Sequence, residues 1–400
     1  MRRILFVDDE TSILDGLKRM LRPMCAEWDM AFATGGETAL SMLGAAPFDV
    51  IVTDMRMPGM DGAPLLEVVR EKYPNMLRII LSGYTELQAS LRAVPVAHQF
   101  LLKPCDPEVL RRGIARATSL GDALNSKMLT SLVGSLRELP SLPRVFSELK
   151  LALTRPSTAI EQVAAIVEQD VAVSAKLLQL VNSAFFGLTR DVHDIKTAVS
   201  CLGIPVLHDL VLNLQVFRAL VPSEYVTEEY LEDFHRHTQL TARIAAGIAR
   251  DAKLPPSVVL AALLHDIGKL VIAERTPVHF ARSLVQAEQE SVPLSVVEEK
   301  LIHISHAEVG AYLLSLWGLP DEIVEAVAHH HHPPLGPSRG VDMTLVVYAA
   351  NLLAHEVAAT EKGAAALDIA LLREAGAESH LPQWRKIAEA AASPEVRLVS

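Results

Sequence analysis

Val50-Ile51-Val52-Thr53-Asp54-Met55-Arg56-Met57-Pro58-Gly59-Met60-Asp61-Gly62 is the stretch on which the fold turns. A short apolar run ends in a carboxylate, and a proline-glycine turn follows at once. The first quarter of the chain repeats that plan. Residues 4–7 run into Asp8 and Asp9, residues 79–81 into Ser82, and residues 100–102 into Lys103, with helix-like stretches between the runs. Such alternation predicts a parallel, doubly wound sheet. Ligands of these sheets bind beyond the carboxyl ends of the strands, so Asp8, Asp9, Asp54, Ser82 and Lys103 are expected to converge on one pocket. Three crowded carboxylates repel one another unless a hard cation stands between them, and oxygen ligands of this kind suit Mg²⁺. The chemistry implied is capture of a phosphoryl group by a carboxylate.

In the order Asp8-Asp9, Asp54 to Gly62, Ser82-Gly83 and Lys103-Pro104, residues 1 to about 120 resemble a response-regulator receiver domain. The resemblance implies a flavodoxin-like, five-stranded parallel sheet. It makes Asp54 the phosphoacceptor, with Asp9, Asp54 and the Arg56 backbone carbonyl holding Mg²⁺ and Asp8 completing the acidic pair. Lys103 would pair with the attached phosphoryl group, Ser82 would hydrogen-bond it, and Phe100 would take the aromatic switch position beside Ser82. A cognate histidine kinase or phosphotransfer protein is the expected donor.

Bulk properties narrow the remaining possibilities. Half of the 400 residues are hydrophobic and 21% are charged, enough apolar material for two or three domains with real cores. The net charge of −11 argues against DNA as a partner, because neutralising phosphates needs a basic face. Cys25, Cys105 and Cys201 are widely spaced and odd in number, a pattern that favours reduced thiols. The apolar run after Met1-Arg2-Arg3 is too short for a signal peptide, and no run reaches the length of a membrane span. A cytoplasmic protein is expected.

From residue 106 to about 135 apolar residues recur at three- and four-residue steps, which predicts one long helix. Its second half, 121–138, reads as a connector, and pairing of two copies as a short coiled coil would give a homodimer. Leu139-Pro140-Ser141-Leu142-Pro143 breaks it and opens an all-helical region, 139–375, followed by a final helix and tail at 376–400.

Leu263-Leu264-His265-Asp266-Ile267-Gly268-Lys269 is the sharpest motif of that region. An adjacent His and Asp in an apolar helix need partners, since burying both bare costs several kcal/mol. His237, His306, His329 and His330 are placed to help, whereas His331 and His332 are expected to face solvent. Asp233, one helical turn before His237, is a further ligand or ring-orienting group. Lys269 reads as a solvated helix end, or as a phosphate contact. Imidazole with carboxylate suits Fe, Mn, Zn or Ni.

Together with Val167-Glu168-Gln169-Asp170, Lys176-Leu177-Leu178 and Asn182-Ser183-Ala184-Phe185-Phe186-Gly187, these residues resemble the HD superfamily, in its HDOD branch, the HD-related output domain. Relatives with a Gly-Tyr-Pro signature bind two metals and hydrolyse cyclic dinucleotides. Here His237, His265, Asp266, His306, His329 and His330 match the metal positions. Asn351 stands where a closing Asp ligand belongs, and Pro333-Pro334-Leu335-Gly336-Pro337 replaces the signature. The reading that follows is a phosphorelay response regulator whose helical output acts by binding a downstream protein or nucleotide ligand, with no catalytic residue assigned. The alternative is a metal-dependent phosphohydrolase under receiver control.

Overall fold

The computed structural model describes residues 1–83, 91–124, 127–136, 139–155, 158–183, 192–213, 218–219, 226–334, 340–358 and 367–393. Residues 184–187 of the Asn182 motif, 335–337 of the loop and 394–400 of the tail lie outside them.

Strands β1 (Arg2–Val7), β2 (Trp28–Ala33), β3 (Val50–Asp54), β4 (Leu77–Ser82) and β5 (Gln99–Leu102) form one parallel sheet in the order β2-β1-β3-β4-β5. Every residue of β3 and β4 is buried, as expected for central strands with both faces covered. Phe6 lies beside Val52, Thr53 beside Ile80, and Ser82 beside Leu102. This register keeps the carboxyl ends level. Helices α1 (Thr11–Met20), α2 (Gly36–Ala45), α3 (Gly62–Lys72) and α4 (Pro107–Leu124) complete the layered unit. Helix α3 starts hard against the end of β3: a Cβ on Gly62 would stand 2.2 Å from the Asp54 carbonyl oxygen. Strand β2 carries no clean apolar run, because it is an edge strand whose middle residues are only half-buried.

The predicted long helix is assigned as α4 and α5 (Lys127–Gly134), with 125–126 between them outside the described residues. Helix α5 is not an open coiled-coil strand. Leu129, Leu132 and Val133 are buried within the chain, and a Cβ on Gly134 would come within 1.8 Å of the Pro74 carbonyl oxygen. Buried Arg78 of β4 fastens it further by donating to the Gly134 carbonyl at 2.9 Å.

The second half comprises α6 (Pro143–Thr154), α7 (Ile160–Val167), α8 (Val171–Asn182), α9 (Ile195–His208), α10 (Glu228–Ala252), α11 (Ser257–Leu264), α12 (Ile267–Arg275), α13 (Pro277–Glu290), α14 (Leu294–Ile302), α15 (His306–Leu316), α16 (Asp321–Ala328), α17 (Met343–Ala358), α18 (Ile369–Glu374) and α19 (Leu381–Ala392). Among the described residues it departs from pure helix where β6 (Pro140–Ser141) pairs in parallel with β7 (Arg218–Ala219). Two of the sequence motifs meet here. Fully buried Asp170 accepts from Ser141 Oγ at 2.8 Å and Leu142 N at 2.7 Å, and caps α8 through Val173 N at 3.0 Å. Asn182 does not cap a helix: its amide exchanges hydrogen bonds with the backbone of Val192, at 3.0 and 2.6 Å. Helix α19 is part of the bundle and no appendage, for Trp384 is fully buried and a Cβ on Gly247 would lie 2.3 Å from the Ile387 methyl. Among the described residues no helix is long and apolar enough to cross a membrane.

The two halves touch along β5. Gln179 of α8 donates to the carbonyls of Ala97 and His98, at 3.2 and 2.9 Å, and the His98 ring lies 2.8 Å from the Arg78 guanidinium. Burial, with Arg78 beside it, holds His98 well below the ordinary imidazole range. The folded chain therefore refuses a proton that the unfolded chain takes up below about pH 6.5. Stability is expected to fall as pH drops below about 6.5, and urea unfolding of His98→Gln should show a shallower acid limb than wild type.

Candidate functional site

At the carboxyl edge of the sheet Lys103, at the end of β5, sits between the buried carboxylates of Asp8 and Asp54. Its ammonium is 2.7 Å from Asp8 Oδ2 and in direct contact with Asp54 Oδ1. Backbone amides fix the other oxygens, Glu10 N on Asp8 Oδ1 at 3.0 Å and Arg56 N on Asp54 Oδ2 at 2.9 Å. Burial pushes the Asp54 carboxyl up even against Lys103, while for Lys103 the burial penalty is overturned by its two carboxylates and the ammonium is held above its usual range. Ser82 is fully buried at the end of β4, one strand over, and Phe100 is buried within β5. Asp9, next in the chain after Asp8, is exposed.

A second centre lies in the bundle around Asp266, between α11 and α12. His265 Nε2 is 3.3 Å and His237 Nε2 3.8 Å from Asp266 Oδ2; His306 Nε2 is 3.2 Å and His330 Nε2 3.6 Å from Oδ1. Three of these rings spend Nδ1–H elsewhere, on the carbonyls of Ala262 and Val327 at 2.7 Å each and on Glu298 Oε2 at 2.6 Å. In a neutral ring the Nε2 lone pair would then face the carboxylate, and a proton or a metal cation on Nε2 relieves that repulsion. Asp266 Oδ1 and His330 Nε2 are buried without an aligned hydrogen bond. Burial works against the Asp266 charge, yet His265 and Lys269 keep its carboxyl well below the usual range. For His306, Glu298 and Asp266 reverse the effect of burial and raise it to about 9, whereas burial lowers His330 to about 4.

Ligand-type groups gather in two sets, His237 with His265 and Asp266, and His306 with His330 and His331. Among the matched residues His329 stands apart from both, at the C-cap of α16 where the helix ends, and His331 takes its place with Nε2 2.8 Å from His306 Nε2. The expectation that His331 faces solvent is corrected by that contact. Asp233 is corrected too: it is exposed and paired with Arg236 at 3.0 Å. Lys269 is no solvated helix end, being buried with its ammonium 2.7 Å from Asp266 Oδ2. Asn351 Oδ1 reaches His237 Nε2 at 3.0 Å, and His355, one turn on, stacks over the His237 ring at 4.2 Å. Glu298, which also accepts from His306 N at 2.8 Å, had no signal in the sequence beyond being an acid in an amphipathic helix.

Comparison with known proteins agrees with both halves. The receiver-domain model of response regulators matches residues 4–115, and the HDOD-domain model matches residues 139–333. The chain belongs to the response regulators and carries an HDOD domain. An uncharacterized protein of Treponema pallidum is 28% identical over 231 residues, 57% of this chain and 44% of that protein. The hydrogenase transcriptional regulatory protein HoxA of Cupriavidus necator is 38% identical over 109 residues, 27% of this chain and 22% of that one. The chain thus spans less than half the length of these curated relatives. Among solved structures, the MmoQ response regulator from Methylococcus capsulatus is 21% identical, with a TM-score of 0.49, over 62% of this chain and 98% of its own. Receiver domains generally use Mg²⁺ and take their phosphoryl group from a histidine kinase or phosphotransfer protein.

In this response regulator, Glu298→Ala leaves His306 Nδ1 and a backbone amide without their buried acceptor. A loss of about 3 kcal/mol in urea unfolding is expected, against less than about 0.5 kcal/mol for exposed Asp233→Ala.

Proposed function

We propose that Asp54 accepts a phosphoryl group from a histidine kinase or phosphotransfer protein and that the HDOD bundle reads out the result by binding a downstream protein or nucleotide ligand. The observation that carries this is the Lys103 ammonium held between Asp8 and Asp54 at one sheet edge. An Asp54 oxygen attacks phosphorus in line, the bond from phosphorus to the donor's imidazole nitrogen breaks, and its electron pair returns to that nitrogen. Asp9, Asp54 and the Arg56 carbonyl are the residues to hold Mg²⁺, and the Arg56 backbone already lies against the Asp54 carboxylate. When bound, the ion neutralises the phosphoryl oxygens during transfer. Lys103 then follows the transferred group, Ser82 hydrogen-bonds it, and Phe100 repacks behind Ser82. Boundaries at 1–120, 121–138 and 139–375 describe the working parts, with α19 packed onto the last. In wild type, acetyl phosphate is expected to leave a labelled acyl phosphate that Asp54→Asn lacks; equal labelling of the two by phosphate-affinity electrophoresis overturns the assignment.

The Asp266 centre fits a metal such as Fe, Mn, Zn or Ni on the Oδ1 side, where His306, His330 and His331 supply nitrogens and the orphaned Asp266 Oδ1 supplies charge. On the Oδ2 side, with His237 and His265, Lys269 already neutralises the oxygen and Asn351 adds only a neutral donor. A bound ion there serves as a bolt between α12, α15 and the turn after α16. Elemental analysis is expected to find about one equivalent of a first-row metal per chain, lost in His330→Ala.

A further inference from the structure

One helix bears on both centres. The C-terminal end of α15 is finished by the receiver: Gln99 of β5 donates its side-chain amide to the Leu316 carbonyl at 3.1 Å, one of the orphan carbonyls of a helix end. Arg116 of α4 donates to the Gly318 carbonyl at 3.1 Å and pairs with Asp321 at 3.0 Å, while Ser315 Oγ donates to the Arg116 carbonyl at 2.8 Å. The three hydrogen bonds to the Leu316, Gly318 and Arg116 carbonyls lie on buried or half-buried groups, where an unmade hydrogen bond is costly, whereas the Asp321 pair is exposed. Gln99 is on the same short strand as Phe100 and stands four residues before Lys103, so a shift of β5 at the Asp54 pocket is felt at Leu316.

The N-terminal end of the same helix is His306, whose Nε2 faces Asp266. There α15 lies backbone to backbone on α12. A Cβ on Gly268 would stand 1.9 Å from the His306 carbonyl oxygen and 2.7 Å from Gly310 N, which leaves α15 no room to slide without moving the helix that follows Asp266. Eleven residues of α helix span about 16 Å, and a capped helix of that length moves as one piece. Ser305 and Glu308 cap it in both directions.

We infer that α15 is a lever between the two centres: the receiver grips its C-terminal end through Gln99 and Arg116, and the geometry of His306 against Asp266 at its N-terminal end is set by that grip. The inference rests on the Asp54 reading above for the signal it carries, although the mechanical link stands on its own contacts. By reciprocity, anything that fixes the His306 end also biases the receiver.

Hydrogen–deuterium exchange on the full chain tests it. In Gln99→Ala/Arg116→Ala without ligand, exchange at the N-terminal turns of α15 and the first turn of α12 is expected to rise at least about three-fold, with residues 50–62 unchanged. Arg111→Ala, which removes an exposed pair with Glu108 on α4, serves as the control for folding and should leave both regions at wild-type rates. A rise confined to residues 315–321 overturns the lever. In a second arm wild type is loaded with Mg²⁺ and beryllium fluoride as the phosphoryl mimic. Altered exchange at residues 50–62 and 99–104 together with the α12 and α15 turns is expected, and the distal part vanishes in the double variant. Altered exchange in the receiver alone refutes the lever, whereas no change in the receiver refutes the Asp54 reading and leaves the first arm to decide the lever.

Discussion

A carboxylate taken out of water keeps its charge only where cations or hydrogen-bond donors replace the water, and both halves of this chain are organised around one such aspartate. Asp54 in the sheet has Lys103 and the Arg56 amide; Asp266 in the bundle has Lys269 and the His265 and His306 rings, with His237 and His330 beside them. In the receiver the partners come from different strands, so the parallel register is what assembles them. In the bundle they come from α10, the α11–α12 junction, α15 and the turn after α16, so the helix packing does the same work. Loss of either packing arrangement would leave a bare buried charge.

The junction between the halves follows from a different constraint. Strand β5 is the last of its sheet, and an uncovered edge strand offers unpaired amides and carbonyls to any passing chain. Here Gln179 of α8 occupies the carbonyls of Ala97 and His98 just before the strand, and Gln99 turns outward to α15. Side-chain amides thus satisfy the Ala97, His98 and Leu316 carbonyls across the junction. That exchange joins the sheet half to the helical half by direct packing.

Much of this was legible in the residues. The four apolar runs ending in Asp8, Asp54, Ser82 and Lys103 announced the sheet because buried strands are continuous in hydrophobicity, the covered edge strand β5 included, whereas half-exposed β2 left no such trace. His265-Asp266 stood out because a charge in an apolar helix demands a partner. Which of four consecutive histidines supplies one was not legible: α16 ends at Ala328, the chain leaves helical phase, and His330 and His331 turn inward while His329 does not. Glu298 and Gln99 were invisible for a related reason. Their roles depend on what another element brings to them, and amphipathic periodicity marks which face of a helix is buried without naming its neighbour.

Asp266 also shows how one buried carboxylate presents its two oxygens to unlike surroundings. A bridged two-metal centre needs anionic charge on both oxygens of its shared carboxylate and on the closing ligands. On Oδ2 the Lys269 ammonium already stands at 2.7 Å, and the closing position is Asn351, neutral and 3.0 Å from His237. A second cation on that side would meet a positive charge and a weak donor together. On Oδ1 stands His306, which, backed by Glu298, gains basicity from the carboxylate behind it. The two oxygens thus meet unlike surroundings, an internal ion pair on Oδ2 and the imidazole nitrogens of His306 and His330 on Oδ1.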